Sequence, residues 1–206
     1  MRTIYFTILL LTSQVSFAQI KLTKLTANSI PKGITYVGQI KNAVRWTDNL
    51  GDNIVLATET GETASKNNGD DSRDAALYAH HYLIKGDSIM QDWKLYDFIK
   101  DCPVDITAGF IKNSFAVTDL NKNGIAEIWL MYKTACHGDV SPANMKIIMY
   151  EDNKKHAVRG TNKVKVSEKD YIGGEYSFDE AFKKVPVNIK EYAKQLWKKN
   201  IMETWD

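Results

Sequence analysis

The sequence has 206 residues, which is enough for one domain or two very small ones. Hydrophobic residues make up 44% and charged residues 25%, as is usual for a globular protein. The formal net charge at pH 7 is only +2, and no cluster of Lys and Arg is interleaved with aromatic residues. The composition therefore gives no support to nucleic-acid binding.

Residues 1–18 have the three parts of a secretory signal peptide. Arg2 gives a positive start, residues 4–11 form a mostly apolar run, and Ser16 and Ala18 put small residues before the predicted cleavage site. The run is too short to span a bilayer, and no other stretch is long enough. We therefore expect cleavage after Ala18, export to the periplasm or beyond, and no transmembrane segment. A buried N-terminal strand or helix is the alternative.

Four pairs of short segments flank turn-forming residues and predict β-hairpins. The pairs are 42–47 with 53–58, 75–84 with 89–99, 114–118 with 125–132, and 145–150 with 156–159. The stretch Thr60–Asp74 is rich in Gly, Asn, Ser and Asp, which predicts a long mobile surface loop. Hairpins at this regular spacing favour an antiparallel meander.

The pattern changes near the C-terminus from strands to helices. Ser177 and Glu180 fit a capping box, and Pro186 ends or kinks the short helix that the box predicts. Beyond the proline, apolar residues follow one helical face. They are Ile189, Tyr192, Ala193, Leu196 and Trp197. We expect this helix to pack on the sheet, although a basic helix lying on a membrane surface has a similar pattern.

Together these elements predict a mainly β protein. Residues 19–206 form a single β-rich envelope domain in this interpretation, with C-terminal helices packed on an antiparallel meander of hairpins. An α+β fold is the alternative.

The strongest chemical motif is the segment Asp119–Glu127. Its oxygen-bearing side chains stand at positions 1, 3, 5 and 9, and a glycine stands at position 6. The predicted Ca²⁺ ligands are Asp119, Asn121, Asn123, Glu127 and the backbone carbonyl of Ile125. Calcium takes six to eight oxygen ligands, and an EF-hand would place its last acid at position 12. The spacing instead resembles the β-hairpin calcium loops of FG-GAP repeats. We expect a weak structural Ca²⁺ site, with a simple Asn-Gly turn as the alternative.

The two cysteines, Cys102 and Cys136, are expected to form a disulfide because an exported protein folds in an oxidising compartment. Free structural thiols and a catalytic thiol are the alternatives, and neither cysteine lies in a recognisable nucleophile motif. A register in which Asp119 faces Glu127 places Phe110 opposite Cys136.

The histidines provide few further candidates. His80 and His81 are adjacent on a predicted strand, so their rings should face opposite sides. No zinc-binding spacing is present. His137 and Asp139 lie in a predicted loop near the calcium hairpin. They form either a polar site or a loop in which both side chains bond the backbone, and the second interpretation is favoured.

The stretch Phe115–Glu151, FAVTDLNKNGIAEIWLMYKTACHGDVSPANMKIIMYE, followed by HAVRGT at His156–Thr161, resembles a family of small exported proteins of Bacteroidetes and related bacteria. These are known as surface polysaccharide biosynthesis proteins. The resemblance covers roughly residues 100–161 and implies a link to the cell envelope or lipopolysaccharide, without a defined enzymatic step. Its motif positions correspond to Asp119, Asn121, Asn123, Glu127, Cys136, Asp139, Val140, Ser141 and Pro142.

The leading hypothesis is a non-enzymatic, calcium-stabilised envelope protein acting near surface polysaccharide assembly, with surface glycans or envelope proteins as partners. An envelope hydrolase or transferase with its acids near His137 and Asp139 is the first alternative. A secreted module that binds glycans through exposed aromatic residues is the second. A rigid cluster of acids in a cleft would favour an enzyme. A shallow aromatic platform would favour a binding module.

Overall fold

The computed structural model describes residues 20–66 and 71–203, so the predicted signal peptide lies outside the described part. The strands are β1 (Thr23–Lys24), β2 (Gln39–Asp48), β3 (Gly51–Ala64), β4 (Arg73–Lys85), β5 (Ser88–Cys102), β6 (Ile106–Phe110), β7 (Ala116–Thr118), β8 (Glu127–Cys136), β9 (Asn144–Glu151), β10 (Lys154–Thr161), β11 (Lys163–Lys165), β12 (Tyr171–Gly173) and β13 (Tyr176–Phe178). The helices are two 3₁₀ turns, Ala27–Ser29 and Phe182–Lys184, and α1 (Val187–Asn200). The mainly β fold with antiparallel hairpins is therefore confirmed.

Two larger sheets contain most of the strands. Sheet A has the order β1-β2-β3-β4-β5, and sheet B has the order β13-β10-β9-β8-β6 with β7 also paired to β8. Strands β11 and β12 form a separate two-stranded ribbon. All four predicted hairpins are present, as β2–β3, β4–β5, β7–β8 and β9–β10.

The prediction of a long loop over Thr60–Asp74 was wrong at both ends, and residues 67–70 lie outside the described part of the chain. Strand β3 continues to Ala64, and Glu62 pairs with Ala75 in the register of β3 and β4. A 2.6 Å ion pair between Arg73 and Glu62 crosses the two strands. The end of β3 is exposed. Strands that are exposed on both faces can consist of polar residues, so the sequence there lacks the apolar alternation that indicates a strand.

The main core lies between sheets A and B. Its members include Trp46, Val55, Leu77, Trp93 and Leu95 from sheet A, and Ile128, Leu130, Tyr132, Ile148 and Tyr150 from sheet B. The rings of Trp93 and Tyr150 stack across the interface with centroids 3.9 Å apart. The two sheets therefore pack face to face.

The outer faces of the two sheets are covered unequally. On sheet B, Trp129, Met131 and Ile147 pack against α1 and the preceding 3₁₀ turn. On sheet A, Ile54 and Leu56 pack against the N-terminal segment that includes Leu25, Ile30, Ile34 and Tyr36. Side chains of β4 and β5 on this same outer face remain exposed, notably Tyr96 and Phe98.

Helix α1 has the buried face that the sequence predicts. Ile189, Ala193, Leu196 and Trp197 are buried. The predicted capping box was wrong, because Ser177 belongs to β13 and Asp179 accepts the hydrogen bond from the Phe182 N–H at 2.7 Å. Over the described residues, we find no helix with the length and apolar character needed to cross a membrane.

Candidate functional sites

Three predicted calcium ligands turn their side-chain oxygens toward the backbone of their own loop. The N–H of Asn123 donates to Asp119 Oδ1 and to Asn121 Oδ1, at 3.1 Å in each case. The Gly124 N–H donates to Asp119 Oδ2 at 3.1 Å, and the Ile125 N–H donates to Asn123 Oδ1 at 2.8 Å. Because Asp119 and Asn121 share one donor, their oxygens lie on the same side of the loop.

Glu127 has a different position from the other predicted ligands. It is fully buried and accepts hydrogen bonds from Thr118 Oγ1 at 2.7 Å, Leu120 N at 2.9 Å and Asn121 N at 3.3 Å. Burial raises the pKa of the Glu127 carboxyl, although the hydrogen bonds from Leu120 and Thr118 oppose this shift. The carboxylate therefore ties the start of the loop to the first residue of β8.

Sequence reasoning missed Glu151 at this site. Glu151 is paired with Glu127 in the register of β8 and β9. Its Oε1 accepts from the side-chain amides of Asn121 at 2.5 Å and Asn123 at 2.7 Å. Glu151 comes close to the loop only because β8 pairs with β9. The Asp119–Glu127 motif does not specify that pairing.

The loop is also held against sheet A by the turn between β2 and β3. Asn49 donates from Nδ2 to the Asn123 carbonyl at 3.0 Å and from its backbone N–H to the Gly124 carbonyl at 2.8 Å. The Ala126 N–H donates to Asp48 Oδ2 at 3.1 Å. Gly124 has φ +78°, and an added Cβ would lie 2.1 Å from Asn49 Nδ2. Only glycine satisfies both the backbone conformation and this close approach.

The Asp119–Glu127 loop offers few charged ligands for a calcium ion. Across residues 20–66 and 71–203, no group of three or more His, Cys, Asp and Glu side chains is arranged to hold a metal. Asp119, Asn121 and Asn123 offer hard oxygens of the kind calcium prefers, and each oxygen has a second lone pair. With one carboxylate directed into the loop and Glu127 bonded to backbone, the residues fit a weak site only.

The predicted disulfide between Cys102 and Cys136 is present, with Cα atoms 5.8 Å apart. It joins the end of β5 in sheet A to the end of β8 in sheet B. The predicted register was wrong, because Ile106 lies opposite Cys136 and Phe110 lies opposite Tyr132. The chain turns between β6 and β7, so these two strands do not continue one register along β8.

His137 and Asp139 hydrogen-bond the backbone of their own loop, and His137 Nδ1 also lies 3.9 Å from Asp139 Oδ1. His137 Nδ1 lies 3.1 Å from the backbone carbonyl of Asp139, and the Ser141 N–H donates to Asp139 Oδ1 at 2.9 Å. The Asp139 side chain is 69% exposed. Hydrogen bonds from Ser141 lower the pKa of this carboxyl, which keeps it ionised. This is the favoured of the two sequence interpretations.

His80 and His81 face opposite sides of sheet A, as predicted. His81 lies between the sheets, where Nδ1 is 3.0 Å from Asp92 Oδ2 and Nε2 is 3.0 Å from Asn53 Oδ1. Burial lowers the pKa of His81, and the bond to Asp92 opposes this. His80 lies on the outer face, directly opposite Lys94 in the β4–β5 register.

A row of aromatic rings on the outer face of sheet A is the other candidate site. We use "aromatic row" for Tyr78, Tyr96 and Phe98. The rings of Tyr78 and Tyr96 stack with centroids 4.9 Å apart, and those of Tyr96 and Phe98 with centroids 5.0 Å apart. Tyr96 is 44% and Phe98 42% exposed. Alternation along β4 and β5 would place these rings on one face, but it does not tell which face remains uncovered.

Two lysines accompany the aromatic row. Lys94 Nζ lies 5.5 Å from the Tyr78 ring centroid and 5.6 Å from that of Tyr96, and Lys100 Nζ lies 5.2 Å from that of Phe98. Exposed aromatic surface that is clustered in this way is typical of interaction sites.

No protein-family model, curated protein or solved structure matches this chain. The resemblance of residues 100–161 to surface polysaccharide biosynthesis proteins therefore stays a prediction.

Proposed function

We propose that this protein is an exported, non-enzymatic component of the cell envelope that acts in surface polysaccharide assembly by binding glycan on the aromatic row. The observation that carries the proposal is the exposure of the stacked rings of Tyr96 and Phe98 on the uncovered part of sheet A. Aromatic side chains bury large areas at low cost in conformational entropy, and this makes them effective contact residues.

The arrangement suits a binding surface better than a reaction site. The rings project from β4 and β5, which are paired through most of their lengths and so hold the rings in place. The acids that the sequence suggested accept hydrogen bonds from backbone N–H groups. Glu127 accepts from Leu120 in the Asp119–Glu127 loop, and Asp139 accepts from Ser141 in its own loop. A hydrolase or transferase at His137 and Asp139 has no comparable support.

Binding to surface polysaccharide extracted from the cells that produce the protein is the test. We expect the mature protein to be retarded in an affinity gel containing this polysaccharide, and Tyr96→Ala/Phe98→Ala to lose about tenfold in affinity. Each lost ring contact is worth about 0.5–1.5 kcal/mol, and 1.4 kcal/mol corresponds to a factor of ten.

Tyr171→Ala is the matched control, because Tyr171 is 43% exposed on β12 and also has a lysine over its ring, at 4.9 Å. It should bind as the unaltered protein does. Failure of the unaltered protein to bind, or equal loss in the Tyr171 variant, would contradict the proposal.

We also propose that the Asp119–Glu127 loop binds Ca²⁺ weakly and that the ion stabilises the fold. The inward-turned oxygens of Asp119, Asn121 and Asn123 support this, together with the position of Glu151 beside the two amides. The loop contacts both sheets, so an ion bound there would hold core elements together.

Thermal melts in EDTA and in millimolar Ca²⁺ test this second proposal. A ligand present at about ten times its Kd stabilises by about 1.4 kcal/mol, which raises Tm by a few degrees in a chain of this size. Asp119→Asn should lose most of the shift, and Asp87→Asn, in the exposed β4–β5 turn, should keep it. A Tm that is indifferent to Ca²⁺ at about 10 mM, above the range of weak extracellular sites, would mean that the loop is only a turn.

A further inference from the structure

The lysines of the aromatic row carry charge that no acidic side chain neutralises. In the described part of the chain, neither Lys94 nor Lys100 takes part in an ion pair. Other lysines near the sheets do, and these are Lys41 with Glu59, Lys133 with Glu203, and Lys146 with Asp97. Contact with a ring face leaves the charge of an ammonium group intact. The row therefore presents apolar surface and positive charge together.

The acid of β4 on the side of the aromatic row is Asp74, near the end of β4 that pairs with Cys102. Its Oδ1 accepts the hydrogen bond from the Asp101 N–H at 2.9 Å. Between Ala76 and Tyr82 on β4, no residue is acidic. Along this part of β4, an anionic ligand would meet the ammonium group of Lys94 without a competing carboxylate.

The two lysines lie at opposite ends of the exposed rings. Lys94 and Lys100 are six positions apart on β5, which corresponds to about 20 Å between their Cα atoms. The rings of Tyr96 and Phe98 lie between them along the same strand. Lys94 Nζ lies over the Tyr96 ring and Lys100 Nζ over the Phe98 ring, so the ammonium groups are closer together than their Cα atoms. A molecule that contacts both ammonium groups must cross the two rings.

Buried polar atoms at the base of the row lack partners. Thr58 Oγ1 and His80 Nδ1 are buried and accept or donate no hydrogen bond within the described residues. Thr58 lies opposite Tyr78, and His80 lies opposite Lys94, so both are on the outer face of sheet A. Buried polar groups without partners cost free energy, and a water or ligand hydroxyl that reached them would remove the cost.

We infer that the aromatic row, with Lys94 at one end and Lys100 at the other, binds an extended polysaccharide that carries carboxylate groups. The inference rests on the proposed function and adds the chemical class of the ligand. The rings contact the apolar faces of the sugars, and each ammonium group pairs with a carboxylate of the polysaccharide. Separate ion pairs at the two ends would select a charged polymer over a neutral one of the same backbone.

A matched pair of polymers tests the inference without knowledge of the natural glycan. Polygalacturonate and its methyl-esterified form have the same backbone and differ in charge. We expect the mature protein to bind polygalacturonate about tenfold more tightly, and this preference should shrink as salt is raised from about 0.05 M to 0.5 M. Lys94→Gln/Lys100→Gln should bind both polymers equally.

Lys198→Gln/Lys199→Gln on α1 is the control with the same change in net charge, because both lysines are exposed and lie on a different layer. It should keep the preference. Equal binding of the two polymers by the unaltered protein, or no binding of either, overturns the inference. Tighter binding to single-stranded DNA than to polygalacturonate also overturns it, because charge alone would then explain the surface. The proposed function is judged separately, by binding of the extracted native polysaccharide.

Discussion

Removal of the Cys102–Cys136 bond should destabilise the protein by about 3–4 kcal/mol. The bond closes a loop with a sequence separation of 34, and in the chain-entropy model a loop of this size restricts the unfolded chain by that amount. Cys102 is fully buried beside Ala75 and Ile106. In a chain of 150–250 residues, 1 kcal/mol changes Tm by about 2–4 °C, so the expected fall is about 6–16 °C.

Urea unfolding of the oxidised protein and of Cys102→Ala/Cys136→Ala measures the difference. The unaltered protein kept in reductant is the control, because it loses the bond and retains both sulfur atoms. The free energies of unfolding of the double variant and of the reduced protein should agree to within about 1 kcal/mol, because the two differ only by a small buried volume. A difference below about 1 kcal/mol between the oxidised and reduced proteins would refute the argument that the bond restricts the unfolded state.

Three further predictions concern the Asp119–Glu127 loop, helix α1 and His80. Gly124→Ala should destabilise by about 1–2 kcal/mol in chemical unfolding, because an alanine at φ +78° is strained and its Cβ displaces Asn49. Trp197→Ala should cost about 3–5 kcal/mol, whereas Trp197→Phe should cost less, because Trp197 Nε1 makes no hydrogen bond within the described residues. Burial lowers the pKa of His80, with a smaller contribution from Lys94, so the folded state binds fewer protons than the unfolded state. Stability should therefore be full above the unfolded pKa of about 6.5 and should fall as the pH drops below it, and His80→Gln should show a shallower fall between pH 7.5 and 5.5.

Local patterns predicted the hairpins well and the pairing of strands that are not joined by a hairpin poorly. The four hairpins and the buried face of α1 follow from turn residues and periodicity, which are local properties. The position of Phe110 depends on a turn between β6 and β7, where Asn113 has φ +58°. The expected register was wrong because it continued one strand through this turn. Ser177 matched a capping box, but pairing of β13 with β10 overrode that local signal.

The candidate sites show the same division between local and long-range information. Asp119, Asn121 and Asn123 form one continuous motif, so the sequence identified them. Glu151 joins them only through the pairing of β8 with β9. The aromatic row could not be predicted, because alternation assigns Tyr78 and Tyr96 to one face without showing that the N-terminal segment covers only part of it.

The position of the disulfide connects the stability of the fold to the proposed binding surface. Strand β5 is at the edge of sheet A, with no strand among the described residues paired to its outer side. Cys102 is the last residue of β5. Lys100 stands two positions before Cys102, whereas Lys94 lies in the middle of the strand opposite His80. Edge strands fray from their ends, so loss of the bond should loosen the Lys100 end of the row before the Lys94 end. A reduced but still folded protein should therefore bind polygalacturonate more weakly than the oxidised protein, and Lys100→Gln should abolish most of that difference while Lys94→Gln should not.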